Sequence, residues 1–418
     1  MPSVHTNGAY HFPAGFLWGA ATAAHQVEGS NVNSDLWVLE HVKPTLFAEP
    51  SGDACDHYHR YPADIRLLAE FGFNTYRFSI EWARIEPEPG FFSIAQLDHY
   101  RRMLEACHEN GITPMVTFYH FSSPRWFAGL GGWEKLSGAD AFVRFCERAA
   151  KHLGDLMPLA TTFNEPNLPA LLRWVANLNL PFTTARRMTR HAARATGAGQ
   201  FVPFPLGDAG RVQEVMLAAH HQAYQAIKSA PGSRAVGVSL AMQDEQPVGQ
   251  NSRRDRKCAE AYDPWLAAAD KSDFLGVQAY TRARVGKSGD LGPEPGFELT
   301  QMGYEYWPDA LEQTVRYAAA RTGAPIYITE NGISTDDDAR LIDYIRTALN
   351  GLRRCLDDGI DIRGYIHWSL LDNFEWIHGY RPRFGLVGVN RQTQERTVKP
   401  SARYLGDIAK RNSMALAD

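Results

Sequence analysis

The chain reads as an α/β protein, a single (β/α)8 TIM barrel with elongated loops on its active face. Eight short runs rich in apolar, β-branched and aromatic residues recur along the sequence. Segments with apolar spacings of three and four separate them, the pattern of helices that pack one face on a sheet. No repeat or low-complexity linker breaks the alternation, so all 418 residues are expected to form one catalytic barrel domain, an ordinary length for this architecture with insertions.

The first strand is expected over residues 16–21 (FLWGAA) and the second over 75–80 (TYRFSI). The third, 114–119 (PMVTFY), opens on a proline, which the first position of a strand tolerates. The fourth, 159–163 (LATTF), is stopped by Pro166, which has no N–H for a ladder and disfavours a helical residue before it. The fifth and sixth are expected over 235–240 and 274–280. The seventh, 326–329 (IYIT), is closed by an Asn331-Gly332 turn, and the eighth spans 364–369. Between strands, Phe142, Phe145, Cys146, Ala149 and Leu153 form one helical stripe; Leu341, Ile345, Ala348, Leu352 and Cys355 form another. Residues 166–210 and 281–305, rich in Gly, Pro or basic side chains, read as long loops after strands, where a barrel builds its active face. Arg186, Arg187, Arg190 and His191 in the first of these read as a solvated helix face.

Composition excludes several functions. With 44% apolar and 22% charged residues, a net charge of −4 and no Lys/Arg block, neither a nucleic acid nor a membrane surface is expected as partner. No apolar run reaches the roughly 20 residues of a membrane span. The N-terminal stretch lacks a basic start and apolar core, so no signal peptide is expected. Five well-separated cysteines, an odd number without a C-x-x-C pair, read as reduced thiols in a cytoplasmic protein. His57, His59, His220 and His221 lack metal-site spacing and read as structural helix residues, and no cofactor is expected.

Chemistry enters with two glutamates. TTFNEP fixes Glu165 at the end of the fourth strand, and IYITENG fixes Glu330 at the end of the seventh. In a closed barrel these strand ends open on the same face and stand across its mouth from one another. Two carboxyl groups in that arrangement are what glycosidic bond cleavage needs, one attacking the anomeric carbon and one protonating the leaving oxygen. Their tasks demand different protonation states, so their surroundings must separate their pKa values.

From FPAGFLWGAATAAHQVEG near the start to NFEWIHGYRPRFGLVGVN near the end, with TFNEP and ITENG between, the sequence resembles glycoside hydrolase family 1, the β-glucosidase-type retaining glycosidases. The resemblance implies that Glu165 is the general acid/base and Glu330 the nucleophile, acting by double displacement without a cofactor. It implies that Arg77 pairs with the nucleophile, that Tyr280 hydrogen-bonds it, and that Asn164 holds the sugar 2-hydroxyl. Gln26 and His120 are implied as further sugar-hydroxyl partners. Trp368 is implied as the platform under the ring, with Glu375 and Trp376 reaching hydroxyls on its far side and Phe384 at the pocket edge. The expected partner is a small-molecule β-glycoside or oligosaccharide.

Departures from the family pattern concern specificity. Phe121 stands where a Trp is usual, Gln278-Ala279 where Asn-Tyr is usual, and Tyr304 where a leaving-group Trp is common. The segment NLPALLRWVANLNLPF after TFNEP is also divergent. An acidic Glu375 disfavours a 6-phospho-sugar, since it is expected to repel a phosphate dianion. Transfer of the sugar to an acceptor other than water is the alternative use of the same intermediate. A catalytically dead sugar-binding scaffold is disfavoured by the presence of both glutamates.

Overall fold

The computed structural model describes residues 5–6, 8–175 and 182–415. Eight strands form its centre: β1 Leu17–Thr22, β2 Thr75–Ser79, β3 Thr113–Tyr119 and β4 Leu159–Asn164, then β5 Ala235–Pro247, β6 Phe274–Gly286, β7 Ile326–Asn331 and β8 Ile362–Trp368. They hydrogen-bond in the order β7-β8-β1-β2-β3-β4-β5-β6, and β6 pairs back onto β7, so the sheet closes into a parallel barrel.

Helices connect the strands. Among them are α1 His57–Phe71, α2 Ile94–Glu109, α3 Leu136–Leu153 and α4 Ala209–Ser229, followed by α5 Asp263–Ala269, α6 Ala310–Ala319 and α7 Asp338–Asp357. The expected stripes are buried: Phe142, Phe145, Cys146, Ala149 and Leu153 on α3, and Leu341, Ile345, Ala348, Leu352 and Cys355 on α7. Asp337 caps α7 by accepting from the Ala339 and Arg340 N–H groups, which satisfies two of the free donors of the first turn.

The strands match the sequence reading closely except at two ends. β5 runs to Pro247 and β6 to Gly286, rather than stopping at 240 and 280, so residues 281–286 are strand and not loop. The two strands stay paired beyond the barrel rim, Asp244 opposite Arg282 and Gln246 opposite Arg284. Thr281, Ala283 and Val285 are buried while Arg282 and Arg284 are only partly so, a period of two that extends the sheet. A buried ammonium pins this extension: Lys257 Nζ lies 2.8 Å from Glu245 and 2.9 Å from Asp290.

Inside the barrel some strands approach too closely for a side chain. A Cβ added at Gly276 would lie 2.4 Å from Ser239 Oγ and 2.7 Å from Thr329 Oγ1. That glycine lets β6 pass close to the side chains of β5 and β7 below the two glutamates.

The 166–210 stretch contains helices Leu168–Leu172 and Phe182–Thr196. On the second, Arg186, Arg187 and Arg190 are exposed and His191 is half-buried, the solvated face expected. Residues 176–181 of the divergent segment lie outside the described residues. All five cysteines are buried and unpaired. His57 sits 2.8 Å from Asp64, and His220 sits 2.7 Å from Thr162 and 3.1 Å from Ser272, so both are packed into side-chain hydrogen bonds. Among the described residues no helix is long and apolar enough to cross a membrane.

Candidate active site

At the end of β4 the chain turns sharply. Glu165 has a φ of +46°, a left-handed backbone that is uncommon for a residue with a side chain and is held by its surroundings. Its N–H donates to Ser239 O at 2.8 Å, and its carbonyl accepts from Leu168 N at 3.0 Å. Two residues on, the Asn167 amide bridges to the backbone of Ala241, donating at 2.8 Å and accepting at 3.1 Å. The TFNEPN run therefore ties the end of β4 to β5 and turns Glu165 over the barrel mouth.

There it lines a cavity of about 320 Å³ together with Glu330. The other expected residues on this wall are His120, Asn164 and Tyr280, then Tyr304, Trp368, Glu375, Trp376 and Phe384. Gln26 and Arg77 stand behind it, each fully buried and reaching the wall through another residue.

The two carboxyl groups have contrasting partners. Glu330 Oε1 accepts from Arg77 Nη1 at 2.6 Å and Oε2 accepts from the Tyr280 hydroxyl at 2.5 Å. Burial pushes the Glu330 carboxyl up, while the Arg77 charge and these hydrogen bonds favour its anion. Among the described residues, no side chain hydrogen-bonds the Glu165 carboxyl. Burial and the negative charge of Glu330 raise it well above the usual glutamate range, with Glu375 adding to the effect and Arg77 opposing it. Glu330 is therefore the first of the pair to ionise, and Glu165 is the one that holds a proton.

Asn164 is oriented by two donors. Its Oδ1 accepts from Arg77 Nη2 at 2.5 Å and from Gln278 Nε2 at 2.8 Å. Both demand oxygen at that position, and among the described residues the buried amide nitrogen Nδ2 has no partner. Gln278, at a position that departs from the family pattern, thus keeps the asparagine aligned.

The wall around β8 and β3 is aromatic. His120 stacks at 5.6 Å on Trp368 and at 6.0 Å on Trp376. Burial and the Arg77 charge hold His120 well below the usual histidine range, so its ring is neutral. Phe384 meets Tyr280 edge-on at 6.0 Å. Phe121 packs edge-on to Trp376 at 5.2 Å and stacks on Phe204 at 5.4 Å, filling its place with apolar surface and no donor. Gln26 Nε2 donates to Phe374 O at 2.8 Å, to Asn373 Oδ1 at 3.2 Å and to Glu375 Oε2 at 3.4 Å. Burial and the Glu330 charge push Glu375 up to about 8. A phosphate entering this cavity would share the wall with the Glu165, Glu330 and Glu375 carboxyl groups. Among the described residues, no Lys or Arg lines the cavity to receive one.

The wall also holds the start of the divergent 167–182 segment, together with residues that the sequence reading did not single out. Leu168, Leu171, Leu172 and Val175 follow Glu165, and Met242, Gln243 and Met302 come from β5 and the connection after β6.

Comparison with known proteins agrees with this geometry. The family model of glycosyl hydrolase family 1 matches residues 9–282 and 269–414. A β-glucosidase of Agrobacterium sp. is 33% identical over 452 residues, covering 96% of this chain and 96% of that protein. The apo structure of a β-glucosidase 1317 superposes with a TM-score of 0.93 at 50% identity, covering 95% of this chain and 98% of the other. The β-glucosidase of Thermotoga maritima in complex with deoxynojirimycin superposes with a TM-score of 0.83 at 28% identity, covering 96% and 99%. The chain therefore belongs to glycosyl hydrolase family 1, and it is an O-glycoside hydrolase.

Proposed function

We propose that the protein is a retaining β-glycosidase, of β-glucosidase type, acting on neutral glycosides by double displacement. The observation that carries this reading is the asymmetry of the two glutamates. Glu330 is held by Arg77 and Tyr280 as an anion, and Glu165 keeps its proton over the same cavity. In the first step a Glu330 oxygen bonds to the anomeric carbon, the glycosidic C–O bond breaks, and the Glu165 proton passes to the leaving oxygen. In the second, water gives a proton to Glu165 as its oxygen attacks the anomeric carbon and releases Glu330. Two inversions return the original configuration, which requires carboxyl groups about 5–5.5 Å apart.

Asn164 Nδ2 serves the sugar 2-hydroxyl, a contact that strengthens in an oxocarbenium-like transition state. Trp368 carries the ring face, while His120, Glu375, Trp376 and Gln26 serve other hydroxyls, with Phe384 at the edge and Tyr304 on the leaving-group side. The lack of Lys or Arg on the wall among the described residues supports a non-phosphorylated sugar. Relatives named β-glucosidase support glucose as the preferred ring. The whole chain works as one catalytic barrel domain, and its five buried, unpaired thiols support a cytoplasmic setting.

The test is chemical rescue. Glu165→Ala should lower turnover of glycosides with poor leaving groups by about 10²–10⁴-fold, the usual contribution of general acid–base catalysis. Azide should restore turnover of a substrate with a good leaving group and yield the β-glycosyl azide. Absence of rescue, or an α-linked azide, contradicts the assignment of Glu165.

A further inference from the structure

The strand order divides the cavity wall into two arcs of opposite character. From β7 through β8 to β3 it presents Glu330, Trp368, Glu375, Trp376 and His120, aromatic platforms with hydrogen-bonding groups. From β4 to β6, outward of Asn164, Glu165, Gln278 and Tyr280, the wall carries a run of aliphatic side chains. Leu168, Leu171 and Leu172 come from the five-residue helix behind Glu165, and Met242 and Met302 face in from β5 and the connection after β6.

Above Asn164, Glu165, Gln278 and Tyr280, the polar side chains on this second arc among the described residues are Gln243, Thr281 and Tyr304, and two of them are engaged elsewhere. Thr281 Oγ1 donates to Glu305 O at 2.8 Å, and Gln243 Oε1 accepts from Lys257 Nζ at 3.3 Å. Charges just beyond are paired with one another: Lys257 with Asp290 and Glu245, and Arg282 with Glu305.

We infer that the leaving-group side of this cavity is built for an apolar aglycone, an aryl or alkyl alcohol, rather than for a second sugar. The inference rests on the proposed glycosidase reading: the group that receives the Glu165 proton must leave along the arc that Glu165 begins. A second sugar brings several hydroxyls to this arc, and burying hydroxyls without partners is unfavourable. An alkyl or aryl group instead buries apolar surface against Leu168, Leu171, Met242 and Met302, with a favourable term for each methylene removed from water.

The test uses n-alkyl 1-thio-β-glucosides, from methyl to octyl, as competitive inhibitors of the intact enzyme, with thiocellobiose as the sugar-bearing comparison. Each added methylene should lower Ki by about fourfold until the aliphatic wall is covered. Thiocellobiose should bind less tightly than the hexyl compound. Leu168→Gln and Met302→Gln, at half-buried positions, should flatten the chain-length dependence. A flat alkyl series, with thiocellobiose the tighter ligand and turnover of aryl β-glucosides intact, overturns the apolar assignment alone. Failure to turn over any aryl β-glycoside overturns the glycosidase reading and this inference with it.

Discussion

Glu165 and Glu330 are chemically identical side chains that their neighbours make into different reagents. Tyr280 is the clearest lever on that difference, because its hydroxyl donates to Glu330 Oε2 and favours the anion. Tyr280→Phe should lower kcat/KM by about 10–150-fold, the usual worth of a hydrogen bond to a charged group. It should also move the acidic limb of the pH–rate profile to higher pH, since losing the donor raises the Glu330 pKa. An unmoved acidic limb contradicts the role given to Tyr280. At this scale the two glutamates were legible because a carboxyl group at the end of a buried strand has few structural uses, and because TFNEP and ITENG flank both. The segment holding Leu168 and Leu171 was marked as divergent, but Met242 and Met302 were not legible, since an aliphatic side chain on a cavity wall has the same local pattern as one in the core. The orientation of Asn164 was not legible either, because it depends on Arg77 and Gln278 meeting one amide oxygen from two other strands.

Elements outside the barrel hold the leaving-group side in place. The extension of β5 and β6 rests on Lys257, whose ammonium is fully buried between Glu245 and Asp290. Removing one partner of a buried ionic cluster leaves the others uncompensated. Lys257→Met should therefore destabilise the protein by about 3–5 kcal/mol, measured by chemical denaturation. A loss below about 1 kcal/mol, the range of an exposed pair, contradicts this account of the cluster. The core strands were legible because each is a short apolar run bounded by turn residues and matched to a helix. The extension was missed because its Arg-rich, Gly-flanked sequence suggests loop chemistry, while its alternation of Thr281, Ala283 and Val285 with arginines carries the strand signal. What makes strand win there is pairing to β5 and a buried counter-charge, neither visible within 281–286 alone.

Over the whole molecule, the active site is stability given up for chemistry. Glu375 is a buried carboxyl raised from 4.5 to about 8. Its folded pKa lies above its unfolded value, so its contribution to stability is full below about pH 4.5 and is lost as pH rises to about 8. Across that window Tm of the wild type should fall relative to Glu375→Gln, and parallel Tm–pH curves would contradict the shift. The barrel itself was legible from the alternation of eight strands with helices along the chain, and the closing pair β6–β7 follows from it. The preferred aglycone was not legible, because the wall that selects it is assembled from three separate strand ends. The most direct test of the central claim, that Glu330 is the nucleophile and Glu165 its proton-bearing partner, is covalent trapping. The enzyme would be inactivated with a 2-deoxy-2-fluoro-β-glucoside carrying a good leaving group, digested, and its peptides weighed. The fluorosugar is predicted on the peptide containing Glu330, at that residue. An adduct on Glu165, or time-dependent inactivation with no adduct on Glu330, would contradict the account.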